Sequence, residues 1–204
     1  MEFKIDLRKT PLMLFSKNLV RIKSIQIIQK DLEKMDINKK GYKIWFLNQT
    51  YHLHLVAYWQ VYIQDQLEWI FGELTEEENS NKFVVTLLKS NLSESIRAFS
   101  TPNKDNIKQL FKKNIGIPNV TESWARCGRN EHEVNNMLKN ILATRNDIAH
   151  AAHSSVKLDF DINYNNMMFL YNLAYATSFS CEEYLADIRG VEFRNEFQLP
   201  HDAI

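Results

Sequence analysis

The stretch Leu138-Lys139-Asn140-Ile141-Leu142-Ala143-Thr144-Arg145-Asn146-Asp147-Ile148-Ala149-His150 decides how the chain is read. Stepped around an α-helix, Val134, Leu138, Ile141, Leu142, Ile148 and Ala149 gather on one side. Arg145 falls in the middle of that stripe, seven residues after Leu138. A guanidinium on a core stripe must meet an anion, because burying it alone is strongly unfavourable. Asn146 and His150, four residues apart, line the flank of the stripe, and Asp147 points away. His153 would join them if the helix continued.

One helix therefore offers a permanent cation, an amide and an imidazole beside an apolar seam. These are the parts of a phosphate site. Arginine grips phosphate bidentately, histidine moves a proton near neutral pH, and asparagine orients either partner. The alternative is structural: Arg145 pairs with a carboxylate of an earlier helix, Asp65 or Glu73, and His150 caps the helix end. Periodicity leaves both readings open.

The flanks are helical as well. Pro11 opens a pattern through Leu14, Phe15, Val20, Ile22, Ile25 and Ile28 to about Met35, and Asp36–Gly41 reads as a break with Gly41 the stop. A long second helix is predicted from Trp45 to Leu74, a third from Asn81 to Phe99, and a short one capped by Asn103 and ended by Gly116 and Pro118. An irregular stretch holding Trp124, Cys127 and Gly128 precedes the motif helix, Glu131–His150. Residues 151–163 read as a loop before a last helix from Tyr164 to Ile188. The expected architecture is an all-α bundle of about five to six helices in a single domain over 1–204, with an N-terminal arm at 1–10 and a C-terminal tail at 191–204.

Composition agrees. The chain has 204 residues, 45% of them hydrophobic, which excludes disorder as a whole. Five glycines and four prolines are too few for the turns of a many-stranded sandwich or barrel. Lys and Arg total 25 and Asp and Glu total 25, so no global basic field marks a nucleic-acid or membrane protein. Locally the balance is uneven. Residues 1–43 hold eleven Lys/Arg against five Asp/Glu, and residues 64–78 hold six acids with no Lys or Arg. Either these are solvated faces that pair with each other, or the basic strip meets phosphates. Two cysteines far apart, a charged N-terminus and no long apolar run point to a soluble cytoplasmic protein without membrane contact.

Arg145-Asn146-Asp147-Ile148-Ala149-His150 resembles the R-x4-6-H motif of the HEPN superfamily in its form Arg-Asn-x-x-Ala-His. The context resembles the RiboL-PSP type of HEPN domain. Leu138-x-x-Ile141-Leu142 precedes the motif. Pro102-Asn103, Ile107-x-x-Leu110-Phe111, Gly116-Ile117 and Trp124 match the segment leading into it, and Tyr58-Trp59-x-x-Tyr62-Ile63 matches an earlier helix. The likeness spans roughly residues 45–185.

The resemblance implies a helical homodimer whose two motifs face each other across one cleft. It implies a metal-independent endoribonuclease without cofactor, in a toxin or anti-phage defence role and restrained by an antitoxin or other regulatory protein. An RNA 2′-OH would attack the adjacent phosphate, leaving 2′,3′-cyclic phosphate and 5′-OH ends. Arg145, His150 and Asn146 would be catalytic: His150 as general acid or base, Arg145 on the non-bridging oxygens, Asn146 positioning His150 or the phosphate. Asp147 and His153 would contact substrate. The alternative is a catalytically inactive HEPN module that dimerises and binds RNA, a nucleotide or a protein. Three departures stand out. Gln60 follows Trp59 where some relatives carry an acid, Ala151 replaces a common glycine, and Ala152 stands where toxins silenced by nucleotidyl transfer carry tyrosine.

Other constellations read as structural. His52 and His54 lack a third metal ligand, and Cys127 near His132 reads as a free thiol rather than a nucleophile. The aromatic helix around Tyr51, Tyr58, Trp59, Tyr62, Trp69 and Phe71 reads as core rather than a base-stacking platform.

Overall fold

The computed structural model describes residues 10–76, 81–151 and 156–193. His153, the arm before Thr10 and the tail beyond residue 193 lie outside the described residues. Among the described residues six α-helices form: α1 Pro11–Lys34, α2 Lys40–Thr75, α3 Lys82–Ala98, α4 Lys104–Ile115, α5 Glu131–Ala151 and α6 Phe160–Ile188. A 3₁₀ helix, Val120–Cys127, links α4 to α5, and no strand occurs among the described residues. The architecture is an all-α bundle.

α2 is its axis, meeting α1, α3, α4, α5 and α6. It is aromatic because it is buried on several sides. Tyr51, Trp59 and Tyr62 are fully enclosed, each exposed by 1% or less. Phe15 of α1 packs on Trp59 and Tyr62, with ring centroids 6.3 and 5.1 Å apart, and Trp124 of the 3₁₀ helix packs on Trp59 at 6.2 Å. Burying each such ring is worth on the order of 2–3 kcal/mol. Their polar tips are satisfied: Trp59 Nε1 donates to the Pro102 carbonyl, Tyr62 Oη to the Ala174 carbonyl, and Trp124 Nε1 to Thr177 Oγ1. The core reading of the aromatic helix is correct.

Contacts along α2 fix the directions of its neighbours. On α1, Phe15 meets Tyr62 and Gln29 meets Asn48, so α1 is antiparallel to α2. On α6, Asn163 meets Asn48, Ser178 meets Tyr62, and Arg189 pairs with Glu73, so α6 is parallel to α2. On α5, the Ile141 carbonyl meets His52, whereas Val134 shares a cavity wall with the Trp124 that packs on Trp59. α5 therefore runs antiparallel to α2.

Caps explain most boundaries. The Thr10 side chain accepts from the Met13 N–H, with Pro11 at the first helical position. Asn103 accepts from the Asn106 N–H at 2.8 Å, and Gly116 closes α4 at φ 81°. Two boundaries differ from expectation. Gly41 is not a stop: Lys39 takes the left-handed conformation (φ 57°), and Gly41 lies inside the first turn of α2. α6 begins four residues early, because the Asp159 carboxylate accepts from the Ile162 N–H at 2.9 Å and caps it. The irregular stretch around Trp124 is the 3₁₀ helix, held by the Trp124 bond to α6.

Candidate functional site

The motif occupies the last two turns of α5. Val134, Leu138, Ile141, Leu142 and Ile148 face the bundle, joined by Thr144 rather than by Ala149, which is exposed. The stripe is thus rotated from its expected centre. Arg145 lies half-buried at its edge, not in a sealed core, and Asn146 and His150 are exposed.

The structural alternative for Arg145 does not hold. Glu73 is taken by Arg189, through its carboxylate at 3.1 Å and its backbone carbonyl at 2.8 Å. Among the described residues Arg145 pairs with no carboxylate; its Nη1 donates to Asn146 Oδ1 at 2.9 Å. That bond has a geometric consequence. Five residues of α-helix give about 7.5 Å of rise and about 140° of rotation, so Arg145 and His150 leave α5 in different directions. Asn146 and His150, four apart, share a face. The hydrogen bond draws the guanidinium round towards that face. Asp147 is half-buried.

The antiparallel contact sets what lies alongside. Trp45 is seven residues before His52, two turns back on the same face of α2, and so flanks the last turns of α5. It is 38% exposed and stacks on Tyr42, itself 62% exposed, with centroids 5.4 Å apart. Phe46 adds a third exposed ring. Sequence reasoning missed this trio because it began the helix at Trp45. The 42, 45, 46 spacing becomes visible once the helix starts at Lys40.

His52 is structural. It is fully buried, and its Nε2 lies 2.9 Å from the Ile141 carbonyl, with the Asn163 side chain close to the ring. Burial pushes its pKa below the usual histidine value, opposed by the Ile141 carbonyl and then by Asn163. Cys127 donates to the Asn172 carbonyl, burial pushes its thiol up to about 11, and His132 instead faces Asn136. No Cys–His nucleophile forms there. Among the described residues no three His, Cys, Asp or Glu side chains gather to hold a metal, and no helix is long and apolar enough to cross a membrane.

Gln60, the departure from the acidic pattern, is engaged in the fold. Its Nε2 donates to the Phe99 carbonyl at 3.1 Å. A carboxylate could not donate there.

The family model described as RiboL-PSP-HEPN matches residues 16–183, most of the chain and all of the motif. The chain belongs to the RiboL-PSP-type HEPN family. No curated protein and no solved structure gave a match. HEPN domains are frequently ribonucleases, often dimerise and often bind RNA. Membership accounts for the helical order and for an arginine and a histidine five residues apart at a helix end.

Proposed function

We propose that this protein is a metal-independent endoribonuclease acting as a symmetric dimer. The observation that carries the reading is the Arg145–Asn146 bond. A guanidinium held by a neutral amide, rather than neutralised by a carboxylate, keeps its full charge for a phosphate.

In the proposed reaction one His150 accepts the proton of an RNA 2′-OH as that oxygen attacks the adjacent phosphorus. A second His150, from the partner subunit, protonates the departing 5′-oxygen as the P–O bond breaks. The products are a 2′,3′-cyclic phosphate and a 5′-OH. Arg145 bonds the non-bridging oxygens as their charge rises. Asn146 positions Arg145, a role the geometry supports better than contact with His150. Asp147 and His153 complete the candidate set as substrate contacts. The exposed Tyr42, Trp45 and Phe46 beside α5 suit the partner-facing surface, because adjoining exposed aromatics favour burial. A toxin or defence role, with an antitoxin or other regulator, fits such an activity in the cytoplasm.

The test is cleavage of labelled RNA in EDTA by wild type, Arg145→Ala and His150→Ala. Expected are cyclic-phosphate ends from wild type and losses of about 10²–10⁴-fold in the variants. If wild type cuts nothing, the catalytically silent, RNA- or protein-binding module takes its place. Equal cutting by all three would mean a contaminant.

A further inference from the structure

α1 and the first turn of α6 leave a cleft of about 480 Å³, lined by Lys23, Gln26, Lys30, Phe160, Asp161 and Tyr164. It sits at the motif end of the bundle. Gln29 and Asn163 both bond to Asn48, so Lys30 and Phe160 lie near the level of Asn48. Arg145 is four residues beyond Ile141, just as Asn48 is four before His52. In the antiparallel pair this puts Arg145 at the same level.

Besides the aliphatic Ile27, the lining has three kinds of group. Phe160 and Tyr164 supply rings. Lys30 Nζ lies 4.9 Å from the Phe160 centroid and Lys23 Nζ 5.9 Å from that of Tyr164. Neither lysine pairs with a carboxylate among the described residues, and Asp161 is the single acid against these two cations. Gln26 is 5% exposed. Its Nε2 donates to the Phe160 carbonyl over a long 3.4 Å, and its Oε1 accepts nothing from the described residues. Lysines resting on rings are weakly held and swing away easily.

We propose that this cleft binds an unpaired base of single-stranded RNA. The base stacks on Phe160 or Tyr164, Lys23 and Lys30 meet the flanking phosphates, and Gln26 Oε1 accepts an N–H from the base edge. The inference rests on the RNA reading of the motif. A duplex offers no open base face, so the cleft selects single strands.

The probe is a fluorescent, non-cleavable 2′-O-methyl single-stranded oligonucleotide, with anisotropy read across a salt series. Lys23→Ala/Lys30→Ala is expected to weaken binding at least about tenfold and to lower the salt slope by about 1.4. Tyr164→Leu or Phe160→Leu should weaken it about tenfold at an unchanged slope. A duplex should not compete. If all these variants bind as wild type does, or if the duplex competes equally, the subsite is wrong, whatever the cleavage assay gives. If binding depends on the cleft while wild type cuts no RNA in EDTA, the subsite stands and the nuclease reading falls. Absence of binding at low salt, with RNA still cut, also overturns the subsite.

Discussion

Asn146 Oδ1 accepts a hydrogen bond from Arg145 Nη1 at 2.9 Å, and this ties the guanidinium to the side of α5 that carries His150. Asn146→Ala frees the guanidinium to swing back along its own direction. Single-turnover RNA cleavage should fall about 10- to 100-fold, a misplacement cost. Asn146 is exposed, so the melting temperature should stay within about a degree. Unchanged turnover would remove Asn146 from the site.

His52 ties α5 to α2 at Ile141, whose carbonyl is also one helical turn from the Arg145 N–H. Burial holds its pKa below the ordinary value, so the native state resists a proton that the unfolded chain takes up below about pH 6.5. This contribution to stability is present above that pH and is lost as pH falls. Urea midpoints at pH 7.5 and 5.5 should separate more for wild type than for His52→Gln. Equal separations would count against it.

Glu182 carries the opposite sign. Burial pushes its carboxyl up to about 7, so the folded chain holds a proton that the unfolded chain releases. Stability is lost as pH rises towards 7. Glu182→Gln should stabilise the protein at pH 8 by on the order of 1–3 kcal/mol and change little at pH 4. Thermal melts at the two pH values measure the difference.

Gln60→Glu tests whether the acidic pattern of relatives could be restored. It replaces the donor to the Phe99 carbonyl with an acceptor, in a part-buried place. A loss of about 1–3 kcal/mol is expected in chemical denaturation. A neutral result would mean that the α2–α3 junction adjusts freely.

Trp45→Glu puts a charge among the exposed rings beside the motif. Sedimentation should show the proposed dimer shifting to monomer, with cleavage lost in proportion if the cleft is shared. A dimer that survives the change would move the interface elsewhere on the bundle.

Much of this architecture was legible because the local signals were unambiguous. Asn103 and Gly116 bracket α4 with ordinary capping chemistry, Pro11 opens α1, and the Leu138–His150 periodicity places α5. Other elements depend on contacts the local sequence does not carry. Val120–Cys127 has no helical period of its own, and Trp124 is locked by Thr177, 53 residues away. The missed start of α6 had a local signal, Asp159 followed by Asp161 in the first turn, masked by the polar loop before it. At the motif the residue types were legible, but their exposure was not. Moving the buried side from Ala149 to Thr144 turns Arg145 from a core group into a half-buried one at the stripe's edge.

The polar contacts around Asn48 set the mechanical character of one end of the bundle. Gln29, Gln49, His52 and Asn163 each keep a buried polar atom without a hydrogen bond of ordinary length, four of the five such atoms among the described residues. The middle of the bundle is closed instead by Phe15, Trp59, Tyr62 and Trp124. Cohesion is therefore lopsided, and spontaneous loosening concentrates where the arginine and histidine stand. Amide protons there should exchange sooner than those of the aromatic centre. A strand threading across that end meets a scaffold able to yield without melting the whole.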